Sequence, residues 1–408
     1  MRTTPFRDTS YTAVAGRAPA RPVAPAQDEV LRELCGAVFG SLPRRDQRHR
    51  AEQYVRGLLC TPGRKSIRNI AAHTGGGSAT EQRLQHLVTS STWDWRPVRA
   101  ALIEWLAAAH SLSAWVVQPM PIPKSGEHSV GVGRRYDPHL GHVLRGQQSF
   151  GVWFVSPEVV TPVGWRLFLP EELTAADSPA DGDSAPGGET YEDSVTAAVR
   201  ETVHVRSTPR RPVVVDVRGL NVRSTLGRLP LAGLPAVVRA DATTPLWVAD
   251  RAMPGYGAGA VPARSILTAV KALRQPVEWY DGASPAAPRV SLSAAMPVTT
   301  AAVTAPRNPA LLLGEWPDQR HAPSEFWVSN VRLPTPPLLR LAKEADRVDR
   351  AAADCAGRAG LRDFAGRSLA GWHRHLTLAS VACAVRALAT LPDEGAPMAT
   401  APTTALTG

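Results

Sequence analysis

The sequence predicts an α/β protein in which a mixed sheet flanked by helices follows an all-helical N-terminal region. Three observations lead to this prediction. Apolar residues recur at helical spacing through residues 28–110, and from residue 113 short runs of alternating apolar and polar residues replace them. Helical patterns return near the C-terminus. Strands interleaved with helices are typical of a single mixed α/β core.

The N-terminal region divides into several predicted helices. Residues 46–60 place Tyr54 and Leu58 on one apolar face, and Pro62 and Gly63 end this helix. A short helix over 66–73, a glycine-rich turn and a helix capped by Thr80 resemble a helix-turn-helix unit. A further helix is expected over 95–110.

The predictions for the remainder of the chain are coarser. Strands are expected at 114–117, 129–132, 149–155, 163–169, 212–216, 236–239 and 246–249. Helices are expected at 190–205, 334–358 and 368–391, and loops at 253–264 and 282–310. The strand over 212–216 (PVVVD) is an apolar run that ends in a carboxylate.

Charge is concentrated near the N-terminus. The chain has 408 residues and a net charge of +10, and its first 100 residues carry 16 basic and 8 acidic side chains. A basic segment of this kind indicates a nucleic-acid partner, although a solvated arginine-rich face gives the same count. No apolar run is long enough to span a membrane, the N-terminus lacks the apolar core of a secretory signal, and the four cysteines have no CxxC spacing. A cytoplasmic, nucleoid-associated location is therefore expected.

Three stretches carry a family resemblance. The first covers residues 54–106, the second is WVVQPMPIPKSGEHSVGV over 115–132, and the third is GLRDFAGRSLAGWHRHLTLASVACAV over 360–385. Together they resemble the bacterial insertion-sequence transposases of the DDE superfamily. The resemblance implies a ribonuclease-H-like catalytic core, a double-stranded DNA partner and DNA recombination by transposition.

The resemblance also implies a catalytic site of three carboxylates that hold two Mg²⁺ ions. The family's first aspartates fall on Gln118 and Pro119, neither of which is an anionic ligand. The second acid falls on Asp216 and the third on Asp349, with Glu344 as the fallback if the register slips. Mg²⁺ requires hard oxygen ligands, so a missing acid removes most of the metal affinity. We therefore expect no productively bound Mg²⁺.

Several functional interpretations follow. The preferred one is a transposase-related DNA-binding protein, a pseudoenzyme in which Asp216 and Asp349 are weak catalytic and metal-binding remnants. The alternative is an active DDE transposase or endonuclease that cleaves and transfers DNA strands with metal ions, with Asp137 replacing the lost acid. A third is a scaffold for protein partners. Asp216 could also be a strand-end turn cap, and Asp349 a solvated partner of neighbouring arginines.

DNA contacts are expected from basic residues in and after the N-terminal helices, namely Arg64, Lys65, Arg68, Arg83 and Lys124. Four tryptophans could stack on bases, but core packing is the more common role; they are Trp93, Trp95, Trp105 and Trp115. The expected organisation is a disordered leader over 1–27, a helical DNA-binding domain over 28–110, a DDE-type core over 111–392 with an acidic loop at 171–194, and a disordered tail over 393–408. A homodimer is left open.

Overall fold

The computed structural model describes residues 24–126, 128–169, 189–203, 210–229, 234–280, 288–301 and 309–391. Within these ranges the helices are α1 (Pro25–Val38), α2 (Arg45–Cys60), α3 (Ile67–His73), α4 (Ser78–Gln85), α5 (Trp95–Ala109), α6 (Tyr191–Val203), α7 (Val222–Arg228), α8 (Ala263–Ala269), α9 (Thr335–Ala342), α10 (Glu344–Arg358) and α11 (Leu369–Leu388). The helices predicted in the N-terminal region are therefore present.

Side-chain caps set the start of several of these helices. The Ser66 hydroxyl accepts a hydrogen bond from the Asn69 backbone N–H at the start of α3, and Asp94 accepts one from Arg96 at the start of α5. The prediction that Thr80 caps a helix is wrong. Helix α4 begins at Ser78 and its N-cap is Gly77, while Thr80 is buried inside the first turn.

One sheet contains all twelve strands of the described residues. They are β1 (Ala114–Pro123), β2 (Gly133–Asp137), β3 (His142–Val155), β4 (Val160–Leu167), β5 (Val213–Val215), β6 (Ala236–Arg239), β7 (Pro245–Val248), β8 (Val261–Pro262), β9 (Gln275–Tyr280), β10 (Pro288–Thr299), β11 (Ala310–Trp316) and β12 (Glu325–Ser329). Their order is β2-β3-β1-β5-β6-β12-β11-β10-β7-β8, with β4 beside β3 and β9 beside β10.

Strands β1, β5 and β6 form the parallel centre of the sheet. Val117 pairs with Val215, which in turn pairs with Val238, so the three strands are in register. The other strand pairs are antiparallel. This mixed sheet with flanking helices confirms the predicted ribonuclease-H-like fold class. The residues that directly follow Val117, Val215 and Val238 therefore lie side by side at the carboxyl ends of the three parallel strands.

Two sequence-based assignments in the sheet are wrong. Residues 129–132 form a turn, and the strand begins only at Gly133. Residues 282–310 were expected to be loops, yet β10 occupies Pro288–Thr299. Strand β10 is stabilised by neighbours on both sides, β11 on one and β9 and β7 on the other. Small residues and proline hide this pairing from a local reading of its sequence.

Helix α11 joins the N-terminal helices to the sheet. It is buried almost all round and packs against β4 as well as α1, α2 and α5. Its apolar residues are distributed around the whole helix, and its buried polar side chains are hydrogen-bonded to neighbouring elements, which is compatible with this central position. The hydrophobic core therefore runs without a break from the helical region into the sheet.

Some predicted segments lie wholly or partly outside the described residues. The leader is described only from residue 24, and α1 already begins at Pro25. Of the acidic loop only 189–194 is described, and α6 begins there at Tyr191. The tail over 393–408 lies outside the described ranges. No helix among the described residues is long and apolar enough to cross a membrane.

Candidate active site

The candidate active site lies at the edge where the parallel strands end. Gln118 follows Val117, the last residue of β1 that pairs with β5, and the Asp216 backbone N–H extends this ladder by donating to the Val117 carbonyl at 2.9 Å. Helix α10 packs against β1 and β5 and brings Asp349 to the same edge. The structure thus brings together the positions at which the family resemblance placed three acids.

The Gln118 side chain connects the two remaining carboxylates. Its amide Nε2 donates to Asp349 Oδ1 at 2.8 Å and to the Ala345 carbonyl at 3.2 Å, and it lies 3.5 Å from Asp216 Oδ2. All three neighbours are acceptors when the carboxylates are ionised, so the NH₂ group rather than the carbonyl must face them. Because both distances share one nitrogen, the two carboxylate oxygens are at most about 6.3 Å apart.

A guanidinium group already neutralises Asp216. Arg239, the last residue of β6, donates to Asp216 Oδ1 and to Glu325 Oε2, and it stacks on the Trp327 ring with 4.4 Å to the centroid. Burial lowers the pKa of Arg239, but Asp216 and Glu325 more than offset this, so its pKa is raised overall. The arginine is therefore a permanent cation beside the second acid position.

The environment of Asp349 is less favourable to charge. Burial raises the pKa of Asp349, and the negative charge of Asp216 raises it further, whereas the Gln118 hydrogen bond and His139 lower it. His139 belongs to the turn between β2 and β3. The neighbouring Pro138 lies against Gly219, because a Cβ on that glycine would be 2.8 Å from Pro138 Cγ. This turn therefore covers the loop that follows Asp216.

The other candidate acids take part in local contacts. Asp137 is buried, and its Oδ1 accepts the His139 and Leu140 backbone N–H groups, which makes it a turn cap. Glu344 pairs with Arg347 at 2.8 Å. Pro119 is next to Gln118 in β1, and successive strand residues face opposite sides of a sheet. None of these residues is hydrogen-bonded to the Gln118 amide among the described residues.

The donor groups of this site differ from those that the two-metal chemistry implied by the family resemblance requires. Gln118 presents N–H donors to the carboxylates, and Arg239 already occupies an oxygen of Asp216. Within the ranges that the structure describes, no three His, Cys, Asp or Glu side chains form a cluster that could hold a metal ion. The residues in place do not fit a pair of Mg²⁺ ions, which need several anionic or carbonyl oxygens.

The expected DNA-binding residues fall into two groups. Arg64, Arg68 and Arg83 are exposed on α4 and on or just before α3. Lys65, by contrast, is buried at 4% exposure and donates to the Thr61 and Gly63 carbonyls. Lys124 donates to the Arg362 carbonyl at 3.2 Å and to the Phe364 carbonyl at 2.6 Å. Both ammonium groups therefore hold loops together rather than extending toward a ligand.

The tryptophans and histidines have structural positions. Trp93 and Trp115 are buried, and the partly buried Trp95 stacks on His373 with 4.5 Å between ring centroids. His375 points elsewhere and shares a hydrogen bond of 2.8 Å with the Tyr54 hydroxyl. The two histidines of the HRH sequence thus face different neighbours, as residues two apart on a helix must.

Sequence reasoning missed Arg239, Glu325 and His139. A usable signal was present for Arg239, because β5 and β6 were both predicted as strands. Had their parallel pairing been assumed, the residues after Val215 and Val238 would have been placed side by side at one strand edge. Glu325 gave no comparable signal, since its strand was not predicted.

The fold and the site together define a nuclease-type ribonuclease-H-like protein, with acidic positions at the ends of its central strands. The sequence matches the model of the family described as DDE superfamily endonuclease over residues 37–307. The chain belongs to this family. No curated protein matched the sequence. The enzymes of the superfamily act on DNA with divalent metal ions.

Proposed function

We propose that the chain is a transposase-related DNA-binding protein, of insertion-sequence origin, whose catalytic centre is impaired. The observation that carries this proposal is the pair of nitrogen donors beside Asp216, the Gln118 amide and the Arg239 guanidinium. An amide nitrogen stands where the first acid is expected, and the Arg239 guanidinium binds the second acid. Asp216 and Asp349 are then remnants of the ancestral site.

The physical argument concerns charge. Two divalent cations bring four positive charges, and the described site offers the carboxylates of Asp216 and Asp349, the first of which is already paired. A metal would have to displace Arg239 and turn the Gln118 amide. Losing several kcal/mol of metal-borne stabilisation slows phosphoryl transfer by orders of magnitude, because each 1.36 kcal/mol is about tenfold in rate.

DNA binding is assigned to the exposed arginines of the helix-turn-helix-like unit. Arg64, Arg68 and Arg83 are exposed and project from a region with an excess of positive charge. Phosphate contacts by arginine release counterions, so binding should weaken steeply as salt increases. We leave Lys65 and Lys124 out of this surface, because both ammonium groups are satisfied by backbone carbonyls.

Two measurements test the two halves of the proposal. Fluorescence anisotropy with a labelled 30-base-pair duplex should show salt-dependent binding that the triple variant Arg64→Gln, Arg68→Gln, Arg83→Gln weakens at least tenfold.

Incubation of DNA with the protein and Mg²⁺ or Mn²⁺ should give no strand cleavage. Metal-dependent nicking that disappears in Asp216→Ala would overturn the impaired centre and favour an active transposase or endonuclease. Light scattering of the DNA-free protein tests the homodimer.

A further inference from the structure

A polar cavity lies directly beside the candidate active site. Its volume is about 330 Å³, and three arginines from different parts of the fold line it: Arg218 after β5, Arg239 at the end of β6 and Arg264 in α8. Thr243 and Ser324 add hydroxyl groups to the wall. The cavity shares Arg239 with the charged network of Asp216 and Glu325, so the two sites are adjacent.

The charges of the cavity wall are unevenly compensated. Arg239 is committed to two carboxylates, but neither the Arg218 nor the Arg264 guanidinium makes an ion pair or hydrogen bond with any residue that the structure describes. Asp241 is the one acid on the wall within the described ranges. Two exposed arginines that point to one cavity therefore lack a counter-anion of their own.

The chemistry of the wall selects the class of ligand. Arginine presents a planar fork of N–H donors that matches the oxygens of a phosphate, and hydroxyl groups complete such a site. The volume is at the lower end of the range of about 300–1,000 Å³ that small-molecule pockets have, so it suits a phosphate with its sugar better than a whole dinucleotide.

We propose that Arg218 and Arg264 bind a backbone phosphate of DNA in this cavity, as a second contact apart from the N-terminal helices. This inference rests on the proposed DNA-binding function and names a part of its interface. Phosphate contacts fix the position of a duplex without reading its sequence. The contact would hold the backbone beside the strand edge that carries Asp216.

The test compares two double variants with the same loss of charge. Arg218→Gln with Arg264→Gln removes the free arginines of the cavity. Arg210→Gln with Arg211→Gln removes two exposed arginines before β5, at the opposite end of the parallel strands. Both proteins are titrated into the labelled duplex by anisotropy between 50 and about 200 mM salt, the range in which phosphate contacts dominate the affinity.

We expect the cavity variant to bind about 5- to 20-fold more weakly at low salt, with a log–log salt slope reduced by about 1 to 2, since each phosphate contact contributes about 0.9. The control variant should differ from the wild type by less than about twofold. Equal losses in both variants, or none in the cavity variant, would overturn the inference.

The failure of this inference can be told apart from failure of the proposed function. If the helix-turn-helix variant loses affinity but the cavity variant does not, DNA binding stands and the cavity contact is wrong. If the wild type binds no duplex, the proposed function fails and the DNA-phosphate contact fails with it. A melting temperature raised by inorganic phosphate over chloride of equal ionic strength, and lost in the cavity variant, would then identify a free phosphate as the ligand.

Discussion

This protein has two buried polar networks, and they compensate the burial of their polar groups in opposite ways. At the strand edge, Arg239 bridges Asp216 and Glu325, and Gln118 bridges Asp216 and Asp349. Between the N-terminal helices and α11, the Tyr54 hydroxyl meets His375 Nδ1, and His375 Nε2 lies 2.9 Å from the Gly360 carbonyl. The first network is built from charges and the second from neutral groups.

The difference in charge between the networks follows from the hydrogen-bond and ion-pair partners that surround each of them. The Gly360 carbonyl accepts only, so the proton of His375 is on Nε2, and Nδ1 then accepts the Tyr54 hydroxyl proton. Burial lowers the pKa of His375 to about 4, which keeps the ring neutral. At the strand edge the Arg239 guanidinium lies beside Asp216 and Glu325 and compensates their charge. A neutral network therefore tolerates burial by itself, whereas a charged one depends on each partner.

The largest expected effect comes from breaking the charged network at its cation. Arg239→Met leaves Asp216 and Glu325 without their counter-ion, and removal of one partner of a buried ion pair costs about 3–5 kcal/mol. Urea denaturation should show this loss in the free energy of unfolding. The double variant Arg239→Met with Asp216→Asn should recover part of it, and strict additivity of the two changes would contradict the coupling.

The neutral network should instead respond to acid. The pKa of His375 is about 4 in the folded protein, mainly because of burial, and its ordinary value is 6.5. The unfolded chain therefore binds more protons between these values, so stability is complete above about pH 6.5 and falls as the pH approaches 4. At 1.36 kcal/mol per pKa unit the loss reaches about 3 kcal/mol. His373, whose pKa burial also lowers, adds to the loss.

The measurement is the free energy of unfolding in urea at pH 7.0, 5.5 and 4.5. His375→Gln keeps a polar side chain but cannot titrate, so its stability should be lower at pH 7 and flatter with pH. A variant with the same slope as the wild type would show that other groups cause the acid sensitivity.

The two networks also differ in how far the sequence predicted them. The helical periodicity of α2 placed Tyr54 on a buried face, and the family resemblance placed Gln118, Asp216 and Asp349 at the site. Neither source revealed that Arg239 fills the space beside Asp216, because that depends on the parallel register of β5 and β6. Strands β9 to β12 pair with their chain neighbours as antiparallel hairpins, but the small residues and prolines of β10 hide the strand pattern from a local reading. The position of Lys65 was also missed, because its backbone N–H bonds to Asp363, almost 300 residues later.

A smaller effect is expected from removing one hydrogen bond of the neutral network. Tyr54→Phe keeps the aromatic packing against His375 but leaves Nδ1 as a buried acceptor without its donor. Such a group costs about 1–3 kcal/mol. Chemical denaturation at pH 7 measures this loss, and Tyr191→Phe, at a partly buried tyrosine without a hydroxyl hydrogen bond among the described residues, is the matched control. Equal losses in the free energy of unfolding would show that the Tyr54 hydroxyl contributes no more to stability than the Tyr191 hydroxyl does.

The smallest expected effect has the opposite sign and concerns Asp349. Burial and the charge of Asp216 raise its pKa, so the ionised form is less favourable in the folded protein than in the unfolded chain. Asp349→Asn retains an oxygen that accepts from Gln118 but removes the charge. We expect the free energy of unfolding at pH 7 to be unchanged or to rise by less than about 1 kcal/mol.

The pH dependence makes this expectation specific. As the pH falls through the raised pKa, the wild type gains stability by protonating Asp349, so its difference from Asp349→Asn should shrink in acid. Asp346→Asn is the control, because that carboxylate pairs with Lys343 at 3.2 Å and its removal should destabilise the protein slightly. A clear destabilisation by Asp349→Asn would mean that Asp349 is held ionised by a favourable partner. That outcome would favour a working cation site and would remove the contrast between a self-sufficient neutral network and a charged one that relies on Arg239.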